Sequence, residues 1–213
     1  RVDKELEYAR QNTDIVGYTL LVNNIRSATN KSFSKQAEAA PMFAVFHEIY
    51  ENKYPNHPYT ALIKSFMQAD AIKVGKPCPD VAAEDAEGKE VKLLELVKGK
   101  VALVHLWASW CGPCRRHGIE MIPVYEKYKD KGFTVVGIAR EQTKGVMEKA
   151  AEKDKYPWTN LLELNDKYAI WTKFGIGNAG GGEFLVDAEG NFLAVNATPE
   201  EMKNILEKLF EKN

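Results

Sequence analysis

The chain has 213 residues, of which 45% are hydrophobic and 28% charged, a globular composition that excludes a disordered chain, a collagen and a coiled coil. The 29 Lys and Arg residues against 30 Asp and Glu give a net charge of −1, and without a positive excess we expect no nucleic acid partner. The apolar runs are too short to cross a bilayer, so no transmembrane segment is predicted. Residue 1 is Arg and no signal-peptide pattern follows it, so we expect a mature or trimmed chain.

Residues 1–72 are predicted to form an all-helical N-terminal region. Three sets of apolar residues recur at the spacing of one helical face. They are Tyr18, Leu21, Val22 and Ile25; Met42, Val45, Phe46, Ile49 and Tyr50; and Tyr59, Ile63, Phe66 and Met67. Because no catalytic pattern occurs here, we interpret these segments as helices that pack on a neighbour. Two prolines and a glycine in residues 74–79 break the helical pattern and place a boundary near residue 72.

Residues 73–213 alternate between strand and helix patterns, which indicates an α/β layered architecture. The predicted elements are strands over 101–107 and 133–138, helices from Cys111 to about Asp130, over 143–153 and over 166–174, a hairpin over 184–194, and a helix from Thr198. The last helix has a Thr N-cap, Pro in its first position and Glu in its third, which together mark a helix start.

The three cysteines predict redox chemistry. Cys111 and Cys114 form a Cys-X-X-Cys pair with Gly112 and Pro113 between them, and the odd third cysteine, Cys78, excludes a framework of structural disulfides. The pair directly follows a buried strand and opens a helix, where unpaired N–H groups stabilise a thiolate. We therefore expect an exposed Cys111 sulfur that attacks a disulfide and a more interior Cys114 that resolves the mixed disulfide.

The sequence around this pair resembles a known family. The segments Val74-Gly-Lys-Pro-Cys-Pro-Asp80, Gly88-Lys-Glu-Val91 and Gly99-Lys-Val-Ala-Leu-Val-His-Leu-Trp-Ala-Ser-Trp-Cys-Gly-Pro-Cys-Arg115 are similar to the TlpA/ResA-type thiol–disulfide oxidoreductases of the bacterial envelope, relatives of the alkyl hydroperoxide reductase family. Over residues 73–213 the resemblance implies a thioredoxin-like fold, with a central mixed sheet flanked by helices. It also implies no cofactor beyond a Cys111–Cys114 disulfide, protein thiol or disulfide substrates, an upstream electron donor and a periplasmic location.

Three positions depart from the family pattern. Gly181 stands where the family usually has a cis-proline. Since a non-proline cis bond costs about 3 kcal/mol, we expect a flexible trans loop; the alternative is a plain glycine turn. His105 replaces the acidic or Asn residue six positions before Cys111; it is either a hydrogen-bonded core residue or a proton-transfer group for Cys114. His117, three residues after Cys114, replaces a glutamate and is either a proton carrier on the same helical face or a surface residue without a role.

Four further residues are candidates for a role, and three of them have two interpretations. Glu141, after the second buried strand, is a weaker proton-transfer candidate. Trp110 lines a docking surface or is an exposed structural residue. Arg115 adds positive potential to the thiolate or lies in solvent, and Cys78 is a buried free thiol or a third redox cysteine.

Three alternative functions stay open. Cys111, Cys114 and His117 supply three zinc-type ligands without a fourth, which would fit a metal-binding module, although we predict no metal site. A thiol peroxidase would need a threonine where this chain has Ala108. A binding protein that keeps the fold without catalysis is disfavoured because both cysteines are present.

Overall fold

The computed structural model describes residues 2–29, 38–177 and 180–211. It divides into two compact units. One unit comprises Arg1–Ala71 and Thr172–Gly177, and the other comprises Ile72–Trp171 and Asn178–Asn213. The sequence-based boundary near residue 72 did not assign the short segment Thr172–Gly177 to the first unit.

The first unit is helical, as predicted from its apolar periodicity. Its helices are α1 Val2–Gln11, α2 Ile15–Thr29, α3 Ala40–Val45, α4 Glu51–Lys53 and α5 Pro58–Asp70, with a π-helical turn at Phe46–Tyr50. Most residues of the three predicted stripes are buried in one core, whereas Ile49, Tyr59 and Met67 are partly exposed at its margin. Residues 1 and 30–37 of the predicted helical region lie outside the described residues.

The second unit is built on a seven-stranded mixed sheet. Its strands are β1 Ala82–Glu84, β2 Glu90–Lys92, β3 Val101–Trp107, β4 Phe133–Glu141, β5 Thr159–Leu164, β6 Gly182–Val186 and β7 Phe192–Val195. Their order is β2-β1-β5-β4-β3-β6-β7. The central strands β3, β4 and β5 run parallel, and both neighbours of this group, β1 and β6, are antiparallel to it. This arrangement confirms the predicted mixed sheet.

The remaining helices follow strands of the sheet in the chain. They are α6 Leu93–Val97, α7 Gly112–Tyr128 with a 3-10 turn Lys129–Lys131, α8 Val146–Asp154, α9 Ile170–Lys173 and α10 Pro199–Phe210. The predicted cap of α10 is present, because the Thr198 hydroxyl accepts the Glu201 N–H and the Glu201 carboxylate accepts the Thr198 N–H. Buried side chains of β3, α7 and α10, among them Leu103, Met121 and Leu206, form one core cluster.

Several predicted bounds were wrong for local reasons. Helix α8 begins at Val146 rather than 143, because Gly145 has a left-handed φ of 81°. Helix α9 is shorter than predicted because Asn165, Asp166 and Ala169 adopt positive φ. Strand β5 was not predicted, since Asn160 and Glu163 interrupt its apolar pattern. Strands β1 and β2 are only three residues long and were also missed.

Candidate active site

The Cys111–Cys114 pair lies where β3 passes into α7. The two Sγ atoms are joined in a disulfide, 2.00 Å apart. Cys111 is the N-cap of α7, and its Sγ accepts the backbone N–H of Cys114 at 3.3 Å. Gly112 begins the helix and Pro113 lies in its first turn, where the missing N–H breaks no helical hydrogen bond. A thiolate formed at Cys111 would therefore face the unpaired N–H groups of a 17-residue helix.

The expected exposure of Cys111 was wrong. Cys111 is 6% exposed and Cys114 is 7% exposed, so both residues are buried in the disulfide state. They pack in one apolar cluster that includes Trp107 and Met147, which accounts for their low exposure. The preceding residue, Trp110, is 56% exposed and is the large apolar side chain that this segment presents to solvent.

Three hydrogen bonds between Ser109 and the side chains of Glu141 and Arg115 hold the turn before Cys111. Glu141, at the end of β4, accepts the Ser109 N–H at 2.5 Å and the Ser109 hydroxyl at 3.0 Å. Arg115 donates to the Ser109 carbonyl oxygen at 3.2 Å and forms a two-pronged ion pair with Asp154, with both distances 2.6 Å. Glu141 therefore positions Ser109, and with it the turn that leads to Cys111. The ion pair with Asp154 raises the pKa of Arg115. The Arg115 side chain is partly buried and hydrogen-bonded rather than free in solvent.

Gly181 lies directly beside the cysteine pair. A Cβ at this position would lie 1.8 Å from the Leu106 carbonyl oxygen and 2.9 Å from Cys114 Sγ, so only glycine fits the backbone as it stands. The Gly180–Gly181 peptide bond is trans. The preceding carbonyl oxygen, of Gly180, accepts the indole N–H of Trp171 at 2.7 Å. Residues 178–179 of the predicted loop lie outside the described residues.

His105 is fully buried and bonded to a carboxylate that the sequence analysis missed. His105 Nδ1 lies 2.7 Å from Glu183 Oε1, and the two residues face each other in the β3–β6 pairing. Glu183 is only 6% exposed. His117 Nδ1 lies 3.9 Å from the same Glu183 oxygen, so both predicted histidines meet at one carboxylate. The sequence signal for Glu183 is an acidic residue next to an apolar strand, but its partner His105 is 78 positions away in the chain.

Cys78 lies apart from the disulfide and is a buried free thiol, as one of its two readings predicted. Burial, with a smaller contribution from the charge of Asp80, raises the pKa of this thiol to about 12. Its Sγ donates weakly to the Pro79 carbonyl oxygen at 3.7 Å. A thiol that keeps its proton to this pH is a poor nucleophile, which argues against a third redox cysteine.

The described part of the chain contains neither a metal-binding cluster nor a membrane-spanning helix. Over residues 2–29, 38–177 and 180–211, no group of three or more His, Cys, Asp or Glu side chains is arranged to hold a metal ion. No helix among these residues has the length and apolar character needed to span a membrane.

Comparison with known proteins places this geometry in a family. The model of the AhpC/TSA family matches residues 74–195. The thiol-disulfide oxidoreductase ResA of Bacillus anthracis is 26% identical over 147 residues, which are 68% of this chain and 83% of that protein. The ResA protein of Geobacillus thermodenitrificans is 27% identical over 154 residues, which are 71% of this chain and 86% of that protein.

Two solved structures show the same likeness. The thioredoxin domain of a thiol-disulfide oxidoreductase from Bacteroides vulgatus has a TM-score of 0.59 and 30% identity, covering 65% of this chain and 99% of that one. A thiol:disulfide interchange protein from Bacteroides sp. has a TM-score of 0.59 and 29% identity, covering 66% of this chain and 92% of that one. The expected thioredoxin-like fold and ResA-type resemblance are thus confirmed, and this chain belongs to the AhpC/TSA family.

Proposed function

We propose that this chain is a TlpA/ResA-type thiol–disulfide oxidoreductase that exchanges the Cys111–Cys114 pair with protein thiols and disulfides. The observation that carries the proposal is the disulfide at the start of α7, with the Cys111 sulfur at the helix N-cap. The ResA relatives and the interchange-protein structures support it by their names and by identities up to 30%.

The exchange proceeds through a mixed disulfide. In the reductive direction the Cys111 thiolate attacks one sulfur of a substrate disulfide, and the other substrate sulfur leaves as a thiolate. Cys114 then loses its proton and attacks Cys111, which restores the internal disulfide and releases the second substrate thiolate. Two electrons pass to the substrate, and an upstream donor must return two electrons before the next turnover. In the oxidative direction the same steps run in reverse.

The proposed setting is the bacterial envelope, with protein substrates rather than small molecules. The support is the resemblance to ResA-type proteins, together with a large exposed side chain, Trp110, next to the attacking cysteine. An indole in this position offers apolar area to a docked peptide.

A redox titration in glutathione buffers, read by tryptophan fluorescence and thiol trapping, tests the proposal. We expect one reversible two-electron transition that is unchanged in Cys78→Ala, because Cys78 lies outside the pair. A midpoint of about −270 mV would identify a reductant and one of about −120 mV an oxidant. Failure to form the disulfide, or protection of the thiols only on addition of zinc, would overturn the proposal in favour of a metal-binding module.

Variants of the two cysteines assign the roles. Cys114→Ser should accumulate a mixed disulfide with a substrate protein, because the attack at Cys111 remains and the resolving thiol is gone. Cys111→Ser should form little mixed disulfide under the same conditions. The reverse pattern would show that Cys114 is the attacking cysteine.

A further inference from the structure

The buried pair His105–Glu183 has hydrogen-bonding capacity that the disulfide state does not use. His105 Nδ1 and Glu183 Oε1 satisfy each other at 2.7 Å. The other two polar atoms, His105 Nε2 and Glu183 Oε2, are buried without a hydrogen-bond partner among the residues that the structure describes. Leaving a buried polar atom unsatisfied costs about 1–3 kcal/mol, and one role for such an atom is to bind a partner that exists only in another state of the protein.

The pair lies on the cysteine side of the sheet. His105 is two residues before Trp107 on β3, so both side chains face the same way, and Trp107 packs in the cluster that contains both cysteines. Glu183 is two residues, or about 7 Å, after Gly181, whose position adjoins Cys114 Sγ. Glu183 also reaches His117, which lies one helical turn after Cys114.

The missing partner is a thiol that exists only in the reduced protein. In the disulfide, Cys114 Sγ has no proton to donate, whereas after reduction it is a buried S–H donor that must lose its proton before it can attack. We propose that Glu183 is a positioning residue that accepts the Nδ1 proton of His105 and so leaves Nε2 as the buried acceptor of the Cys114 thiol proton. This inference rests on the proposed function, because it concerns the resolving step of the same exchange.

The step balances without any further reactant. The proton moves from Cys114 Sγ to His105 Nε2, and the resulting thiolate attacks Cys111 Sγ of the mixed disulfide. A new S–S bond forms between the two cysteines, while the bond from Cys111 to the substrate sulfur breaks. The imidazolium, whose charge is balanced by Glu183, then gives its proton to the departing substrate thiolate or to water.

Other titratable groups face this pair. From α7, His117 approaches Glu183 with a side chain that is 42% exposed. From the segment between α8 and β5, the Tyr156 ring contacts His105 edge-on, with centroids 6.1 Å apart. Burial raises the pKa of Tyr156, and the charges of Asp154 and Glu183 raise it further while that of Arg115 lowers it, so its hydroxyl keeps its proton at neutral pH. His105 and Glu183 are therefore the buried members of this group, and His117 is a partly exposed neighbour.

Reaction of the reduced protein with Ellman's reagent separates the two steps. In a Cys78→Ala background, attack by Cys111 releases one thionitrobenzoate, and attack by Cys114 on the mixed disulfide releases a second. Stopped-flow absorbance from pH 6 to pH 10 then gives a rate for each step. The variants are Glu183→Gln and His105→Gln, which keep a side-chain hydrogen bond while removing the carboxylate or the proton-accepting nitrogen. Glu163→Gln is the matched control, since Glu163 is another fully buried carboxylate on the same sheet that binds backbone N–H groups.

We expect both variants to slow the second phase roughly a hundredfold at pH 7, the lower end of what a placed proton-transfer group contributes. The slowing should decrease as the pH rises toward 10, because hydroxide then competes with His105 for the thiol proton. The first phase, and both phases of Glu163→Gln, should stay at the rates of the parent protein. A second phase that is unaffected, or slowed equally at every pH, in Glu183→Gln and His105→Gln would overturn the inference.

A solvent isotope effect on the parent protein tests the inference if circular dichroism shows that a variant does not fold. The second phase of the parent must then slow in heavy water when the first does not, and an equal response of the two phases would contradict the inference. If the parent itself releases no second thionitrobenzoate, the proposed function fails. The function survives, and only the role of Glu183 fails, if the parent shows both phases and the variants match it.

Discussion

At Gly181 the chain passes so close to β3 that the absence of a side chain becomes a structural requirement. The two atoms that a Cβ would meet are a backbone oxygen, that of Leu106, and the sulfur of Cys114. Neither can rotate away, because one belongs to the sheet and the other to the disulfide. The loop can therefore pass this close to β3 only because residue 181 is glycine.

The neighbouring glycine supplies a matched comparison for this requirement. Gly181→Ala should lower the free energy of unfolding by about 1–3 kcal/mol, because the loop or β3 must shift to admit the methyl group. Gly180→Ala should cost little, since a Cβ there meets no atom within 4 Å among the described residues. Urea unfolding of the oxidised proteins measures both. Equal effects of the two substitutions would contradict the close approach at Gly181.

Individual residues of the candidate site differ in how far the sequence predicts them. Cys111 and Cys114 are recognisable because a local pattern, a strand followed by a helix, carries their chemistry. His105 could be named from the family resemblance, because it occupies the position six residues before Cys111 where the family has an acidic or Asn residue. Glu183 became visible only when the pairing of β3 and β6 brought it opposite His105, and that pairing joins segments 78 residues apart. Local periodicity contains no information on such a contact.

Among the elements, the junction between β3 and α7 depends on a carboxylate from β4. Because β3 and β4 are parallel neighbours, their carboxyl ends lie at one edge of the sheet, and Glu141 reaches Ser109 from there. It accepts two hydrogen bonds while only 3% exposed. The turn that presents Cys111 is thus fixed by strand β4, which follows both cysteines in the chain.

Removal of this carboxylate should loosen the turn and destabilise the protein. Glu141→Ala leaves the Ser109 N–H without its acceptor, and we expect a loss of about 1–3 kcal/mol in the free energy of unfolding by urea. Glu141→Gln should lose less, because its amide oxygen can still accept the N–H. As a control, Glu126→Ala removes an exposed ion pair with Lys129 and should stay near the parental value. A similar loss in both alanine variants would argue against a special contribution of Glu141.

At the scale of the whole molecule, the amino-acid sequence predicts the order of the long helices and strands better than it predicts the complete sheet. Strand β3 and helices α7 and α10 have strong apolar periodicity or capping residues, so their existence follows from local physics. Strand β5 carries a buried Glu163 whose Oε1 accepts the backbone N–H groups of Tyr168 and Ile170, which come within reach only in the folded chain. Glu163 interrupts the apolar pattern of β5, and its burial is explained only by contacts that form in the tertiary structure.

The buried thiol of Cys78 links the stability of the molecule to alkaline pH. In the unfolded chain this thiol ionises near its ordinary pKa of about 8.5, whereas in the folded protein burial raises the pKa to about 12. Between these values the unfolded state has released a proton that the folded state retains. Rising pH therefore favours unfolding, and the contribution of the buried thiol is fully present only below the lower value.

Comparison of the parent protein with Cys78→Ala isolates this contribution. Both should be oxidised, so that Cys111 and Cys114 do not titrate. From about pH 9 to pH 11 we expect the free energy of unfolding of the parent to fall by about 1.4 kcal/mol per pH unit more than that of Cys78→Ala. Urea unfolding at each pH measures this difference, in which the common contributions of Tyr and Lys residues cancel. A constant difference between the two proteins would mean that Cys78 becomes accessible to solvent without global unfolding.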